Sequence, residues 1–156
     1  MHYIVRERRI VMKKNEIRVE LLRIERDRKN LMMPYLAALG LTFGQGQARI
    51  LDTLLNKDHI TQKTLADICY MDVATVSRSL DKLEEAGFLV RERDPECRRS
   101  FLICLTEQGK IEAAKAREGL KKLDNVICKG LSDDELNTLH SVLVRISDNL
   151  EECREL

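Results

Sequence analysis

Apolar residues recur at helical spacing along most of this chain, interrupted by one short stretch where they alternate. From about Met12 to Leu39, Ile17, Leu21, Ile24, Leu31 and Leu36 make an apolar stripe among Arg and Glu, which predicts a long amphipathic helix. Pro34 falls inside it and is expected to kink or interrupt it, since proline lacks an N–H and clashes with the preceding turn. Gly40 and the Gly44–Gly46 pair mark the next boundary. Thr42 is a candidate cap for a second helix over roughly Gln45 to Asn56, burying Ile50, Leu51, Leu54 and Leu55. Beyond the polar turn Asn56-Lys57-Asp58-His59, Thr61 suits the N-cap of a short helix through Cys69, with Leu65, Ala66 and Ile68 inward. Tyr70-Met71-Asp72 reads as a tight turn. Asp72 then caps a helix to about Ala86, closed by Gly87, with Val76, Leu80 and Leu83 on one face.

The alternating stretch predicts a hairpin. Its strands are Phe88 to Arg93 and Ser100 to Leu105, and its charged tip is Asp94-Pro95-Glu96-Cys97-Arg98-Arg99. A long helix follows Thr106 and ends near Gly130. Ser132-Asp133-Asp134-Glu135 is a capping box opening a last helix, with Leu136, Leu139, Leu143, Ile146 and Leu150 on one face. The expected fold is mainly α with a small β-hairpin wing: a winged helix-turn-helix with long N- and C-terminal dimerisation helices. One integrated domain holds three regions, 1–39 for dimerisation, 40–109 for DNA binding, and 110–156 for dimerisation again.

Two short helices, a three-residue turn and a hairpin describe a nucleic-acid reading head. On its second helix Ala74, Thr75, Arg78, Ser79 and Lys82 are expected to face outward, while Val76, Leu80 and Leu83 pack inward. Small residues allow close approach to the major groove, hydroxyls meet phosphates or base edges, and an arginine forks onto guanine. No acid interrupts Val73 to Leu80, and the helix N-terminus adds its positive dipole end. Arg98 and Arg99 at the hairpin tip suit the minor groove, where the potential is strongly negative. Alone, they would read as solubilising partners of Glu92, Asp94 or Glu96; behind a recognition helix they read as DNA contacts. The outer helices exceed what such a head needs, so their apolar stripes are expected to cover each other across a two-fold axis. That places the two heads roughly 34–36 Å apart, one turn of DNA.

Composition alters this picture little. The formal net charge of +1 is not that of a wholesale nucleic-acid binder. The charge is uneven, however: Met1 to Asn30 carries ten Lys/Arg against five Asp/Glu, and Phe101 to Leu156 eight against eleven. A dimeric reader needs only a local positive surface. No apolar run is long enough to span a membrane, and the start, with its apolar piece before its charges, reverses the order of a secretory signal. Five cysteines (Cys69, Cys97, Cys104, Cys128 and Cys153), odd in number and without a C-x-x-C pair, read as reduced thiols of a cytoplasmic protein. No phosphate loop, nucleophile elbow or His–carboxylate constellation suggests an enzyme or a bound cofactor. A winged helix used for protein contact is the rival, and it predicts a blunt or acidic recognition helix without wing arginines.

Residues Leu36 to Gly109 resemble the MarR family of ligand-responsive regulators, and the helix order extends the likeness to both ends. The matching strings are Gly40-Leu41-Thr42, Thr61-Gln62-Lys63-Thr64-Leu65-Ala66, Ala74-Thr75-Val76-Ser77-Arg78-Ser79-Leu80 and Leu83-Glu84-Glu85-Ala86-Gly87-Phe88-Leu89. The most specific is Arg93-Asp94-Pro95-Glu96-Cys97-Arg98-Arg99 with Leu105-Thr106-Glu107-Gln108-Gly109. The resemblance implies a homodimer on double-stranded DNA, recognition helices in successive major grooves, wings in the minor groove, and repression relieved by a small aromatic or phenolic effector. It carries Thr75, Ser77, Arg78 and Ser79 over as recognition contacts and Arg99 as the principal wing arginine, with Arg98 beside it. Two positions depart from the pattern. Cys97 stands where the family has an acid bracing the wing arginine, and Cys104 where it often has Arg or Ser. Asp94 is a candidate replacement for that acid. Cys97, beside two arginines, is a candidate oxidant sensor, although the family's peroxide sensors use a cysteine in the first helix and this chain has none before Cys69. No metal site is expected, because His2, His59 and His140 lie far apart without paired ligand spacing. Met33, Tyr35 and Phe43 are read as core rather than effector lining.

Overall fold

The computed structural model describes residues 13–97 and 99–155, so the predicted start at Met12, His2 and the wing residue Arg98 lie outside the described residues. The elements run α1 (Lys14–Ala38), α2 (Gln47–Asn56), β1 (Ile60–Thr61), α3 (Gln62–Cys69), α4 (Val73–Glu85), β2 (Leu89–Arg93), β3 (Phe101–Leu105), α5 (Glu107–Ile127) and α6 (Asp133–Glu152). This is the expected winged helix-turn-helix between long helices. The chain divides into two compact units, one through Arg117 and one from Glu118 to Leu156.

In the first unit the apolar faces of three helices and the sheet close on one core. Ile50, Leu51 and Leu54 of α2, Leu65 and Cys69 of α3, and Val76, Leu80 and Leu83 of α4 are buried with Leu89 and Ile103 of the strands. Each large apolar side chain so placed contributes roughly 1.5–3 kcal/mol over leaving it in water. Thr61 caps α3 by accepting the Thr64 N–H at 3.2 Å, and Asp72 caps α4 by accepting the Thr75 N–H at 2.8 Å, both as the sequence predicts. The strands form a sheet of order β1-β3-β2. Leu89 pairs with Leu105 and Arg93 with Phe101, while Ile60 pairs with Ile103. Gly109 lets α5 begin against the sheet: a Cβ there would lie 1.7 Å from the Phe88 carbonyl oxygen, which accepts the Thr106 N–H at 3.1 Å. Arg117 fastens α5 to α2 through Asp52 Oδ1 at 2.5 Å and Asn56 Oδ1 at 2.9 Å.

Four local expectations are corrected, and one element is added. Helix α1 continues through Pro34, so the proline does not interrupt it; the Asn30 carbonyl that loses its helical donor belongs to an exposed residue, open to solvent. The N-cap of α2 is Gly46 in a left-handed conformation rather than Thr42. Thr42 instead donates its N–H to Gln47 Oε1 at 2.6 Å. Ile68 lies on the exposed side of α3, and Cys69 takes the core position. Met33 is likewise exposed, whereas Tyr35 and Phe43 are half-buried. The strand β1 was not expected, since two residues carry no periodicity.

The apolar stripe of α1 is buried only at Met32 and Leu36; Ile17, Leu21, Ile24 and Leu31 are exposed. In the second unit, the Ser132–Glu135 capping box forms as predicted, and α6 buries none of its residues. Its stripe leaves Leu139, Leu143 and Leu150 exposed, with Leu136 and Ile146 half-buried.

Candidate nucleic-acid interface

Helices α3 and α4 meet through Tyr70-Met71-Asp72, with Tyr70 in a left-handed conformation (φ 50°) as the C-cap of α3. The apolar face of α4 is consumed by the core, which fixes what its other faces offer. Ala74 and Arg78 are exposed, Lys82 follows one turn later, and Thr75 and Ser77 are half-buried at the margin. The Arg78 guanidinium donates to Thr75 Oγ1 at 3.3 Å, so the two side chains share one outer patch near the helix N-terminus. Thr75, Arg78 and Lys82 line one wall of a groove whose other wall is Gly44 and Gln45.

Ser79 departs from its expected outward position. It is fully buried, and its hydroxyl donates to the Gln45 carbonyl at 2.5 Å. The residue ties α4 to the loop before α2 at the floor of that groove. Its spacing carries the signal: Val76, Ser79, Leu80 and Leu83 follow the i, i+3, i+4, i+7 pattern of a helix face that packs inward.

The electrostatics of α4 are divided along its length. Asp72 at the N-cap is held below the usual carboxylate range by hydrogen bonds from the Thr75 side chain and N–H. Beyond it the first two turns carry no acid. The second half carries Asp81, Glu84 and Glu85; Arg91 of β2 bonds Asp81 Oδ1 at 2.6 Å and also pairs with Glu84, while Glu85 is exposed and lines the same groove. Sequence reasoning missed this bracket. Arg91 faces α4 because it occupies an alternate position of β2, a periodicity that was legible without revealing which helix it meets.

The wing is closed by backbone bonds. Asp94 N–H donates to the Ser100 carbonyl at 3.1 Å and Ser100 N–H to the Cys97 carbonyl at 2.9 Å. The Asp94 carboxylate accepts the Glu96 N–H at 2.9 Å and so organises the turn. At the base of the tip the Arg93 guanidinium stacks over Phe101, 5.5 Å from the ring centre. Arg99 is exposed at the tip. Cys97 is also exposed; its thiol accepts from the Ser100 hydroxyl and the Arg99 N–H, and these bonds lower its pKa. Cys104 behaves oppositely: burial, reinforced by Glu92 and Asp58, pushes its thiol up to about 11. Among the described residues, no helix is long and apolar enough to cross a membrane.

Comparison with known proteins agrees with this geometry. Residues 39–100 match the model of the MarR family. The organic hydroperoxide resistance transcriptional regulator of Bacillus subtilis (strain 168) is 30% identical over 125 residues, covering 76% of this chain and 78% of that protein. The uncharacterized HTH-type transcriptional regulator YdgJ of the same organism is 30% identical over 106 residues, and the match spans 65% of its length. Among solved structures, the transcriptional regulator SlyA superposes with a TM-score of 0.77 at 28% identity, covering 88% of this chain and 95% of that one. A mutant MarR from E. coli complexed with operator DNA superposes with a TM-score of 0.72 at 25% identity, over 85% of this chain and 96% of that one. By sequence, fold and the composition of its reading head, the chain belongs to the MarR family of winged helix-turn-helix transcriptional regulators.

Proposed function

We propose that this regulator binds a pseudo-palindromic operator as a homodimer, with α4 in the major groove and the wing in the adjacent minor groove. The observation that carries the reading is the outer face of α4, where Ala74, Thr75 and Arg78 lie exposed or at the margin beside the helix N-terminus, in a stretch free of acids. Lys82 extends that face toward phosphate, and Ser77 is positioned at its edge. Arg99, with Arg98, serves the minor groove. Ser79 acts from within, by fixing α4 against Gln45.

The dimer is supported by the apolar surface that one copy leaves uncovered. Ile17, Leu21, Ile24 and Leu31 on α1, and Leu139, Leu143 and Leu150 on α6, are exposed. A two-fold related copy covers both stripes and sets the spacing of the reading heads. Family likeness supports a repressor released by a small aromatic or phenolic effector. The lowered pKa of exposed Cys97 favours a second reading of the release step, in which an oxidant modifies that thiol beside Arg99.

Hydroxyl-radical footprinting on DNA upstream of the gene tests the whole arrangement. Two protected patches about one helical turn apart, each flanked by minor-groove protection that Arg99→Ala removes, are the expected result. Absence of any protected patch would favour the rival reading, a winged helix that contacts protein.

A further inference from the structure

Three side chains of metal-ligating chemistry converge where the connection into β1 meets β3 of the wing sheet. A ligand atom each of Asp58, His59 and Cys104 lies within 4.8 Å of the other two. Asp58 and His59 occupy the connection from α2 into β1, and Cys104 sits on β3 some forty-five positions later in the sequence. Sheet pairing brings them together. His59 N–H donates to the Ile103 carbonyl at 3.1 Å, and Asp58 Oδ1 accepts the Leu105 N–H at 3.0 Å. These two bonds clamp the connection along β3 on either side of Cys104. Neither the DNA reading nor the dimer uses any of the three residues.

We propose that Asp58, His59 and Cys104 form a binding site for a zinc-class divalent cation. The donor set selects the class. A thiolate and an imidazole suit zinc and the late first-row ions, whereas magnesium and calcium require oxygen throughout. The distances are within reach of it. Two donors bonded tetrahedrally at about 2.0–2.1 Å lie roughly 3.4 Å apart, and Asp58 Oδ2 and His59 Nδ1 are 3.4 Å apart as they stand. The sulfur lies within 4.8 Å of both. Binding breaks the Cys104 S–H bond and releases its proton to solvent, leaving thiolate on the metal. A water would complete the four-coordinate shell. The bound cation would fasten the segment leading into α3 to the wing strands.

Titration of the reduced, full-length protein with Co2+ tests the site directly. The expected result is one ion per chain with a thiolate-to-cobalt charge-transfer band, displaced by zinc. Cys104→Ser should lose the band, and His59→Ala, which removes a metal-bonded imidazole, should weaken binding by more than the roughly 10- to 100-fold that loss of an outer partner of a ligand costs, while Cys97→Ser leaves both unchanged. His59 is exposed, so its variant remains informative if replacement of buried Cys104 disturbs folding. Absence of the band in the wild type, or its persistence at full affinity in His59→Ala, would overturn the proposal.

Discussion

Ser79 shows how a single hydroxyl is assigned by its surroundings. Ser79 is itself fully buried and donates to the carbonyl of half-buried Gln45, so Ser79→Ala removes that bond at a cost of about 0.5–1.5 kcal/mol. Urea denaturation should show that loss, with DNA affinity falling little once folding is complete. Thr75 and Arg78 carry the opposite expectation: Arg78→Ala leaves the urea midpoint near that of the wild type and costs about 1–3 kcal/mol of discrimination between bases. The two exposed and buried thiols also separate. Cys97, with its lowered pKa and open position, should react with iodoacetamide well before Cys104, whose thiol is buried and raised to about 11. Peptide mass mapping after brief labelling at pH 8 reads the order, and labelling of Cys104 first would refute it. Asp72 gives a pH signature. Its carboxyl is depressed in the fold, so its cap is fully present above the ordinary carboxylate pKa, near pH 4, and is lost as pH falls through the lower folded value. Thermal melts should show Asp72→Asn flattening the acid limb of stability without changing it at pH 7 in the same proportion.

At the scale of elements, the helices were legible because their faces repeat, and the caps Thr61, Asp72 and Ser132 were legible because side-chain chemistry at a boundary is local. What periodicity could not show was pairing between distant segments. Strand β1 is two residues long and exists only through Ile60 and Thr61 meeting Ile103 and Leu102; the cluster of Asp58, His59 and Cys104 depends on the same pairing. Thr42 failed as a cap because the glycines after it offered a left-handed backbone at Gly46. On α4, Ala74, Arg78 and Lys82 are exposed as the spacing predicts. Ser79 was misread because polarity was weighed over its i+3 spacing from Val76. Contact between α5 and the sheet supplies a sharp test. Gly109→Ala drives a methyl into the Phe88 carbonyl, where backbone rather than a flexible side chain must yield, and a loss of about 1–3 kcal/mol or more is expected. A calorimetric melt unchanged from the wild type would contradict that packing.

For the whole molecule, the exposed apolar stripes of α1 and α6 are the observation from which the proposed dimer is argued. A helix whose apolar face stays in water forfeits the burial that would stabilise it, roughly 25 cal/mol for each Å² left uncovered. Leu139→Glu places a charge on the exposed stripe of α6. In the free chain it is harmless, but across a two-fold interface it meets its own copy. Light scattering after gel filtration should therefore report a monomer for the variant and a dimer for the wild type, with operator affinity falling by at least about tenfold as one reading head loses its partner. The most direct measurement is fluorescence anisotropy of the purified wild type with upstream DNA and with scrambled DNA of the same length, titrated with salt and repeated for Arg78→Ala. Tight binding at a stoichiometry of two chains per site, preferring the upstream sequence, weakening steeply with salt and impaired in the variant, is the expected result. Equal affinity for both sequences, unaffected by Arg78→Ala, would contradict an operator reader built on α4.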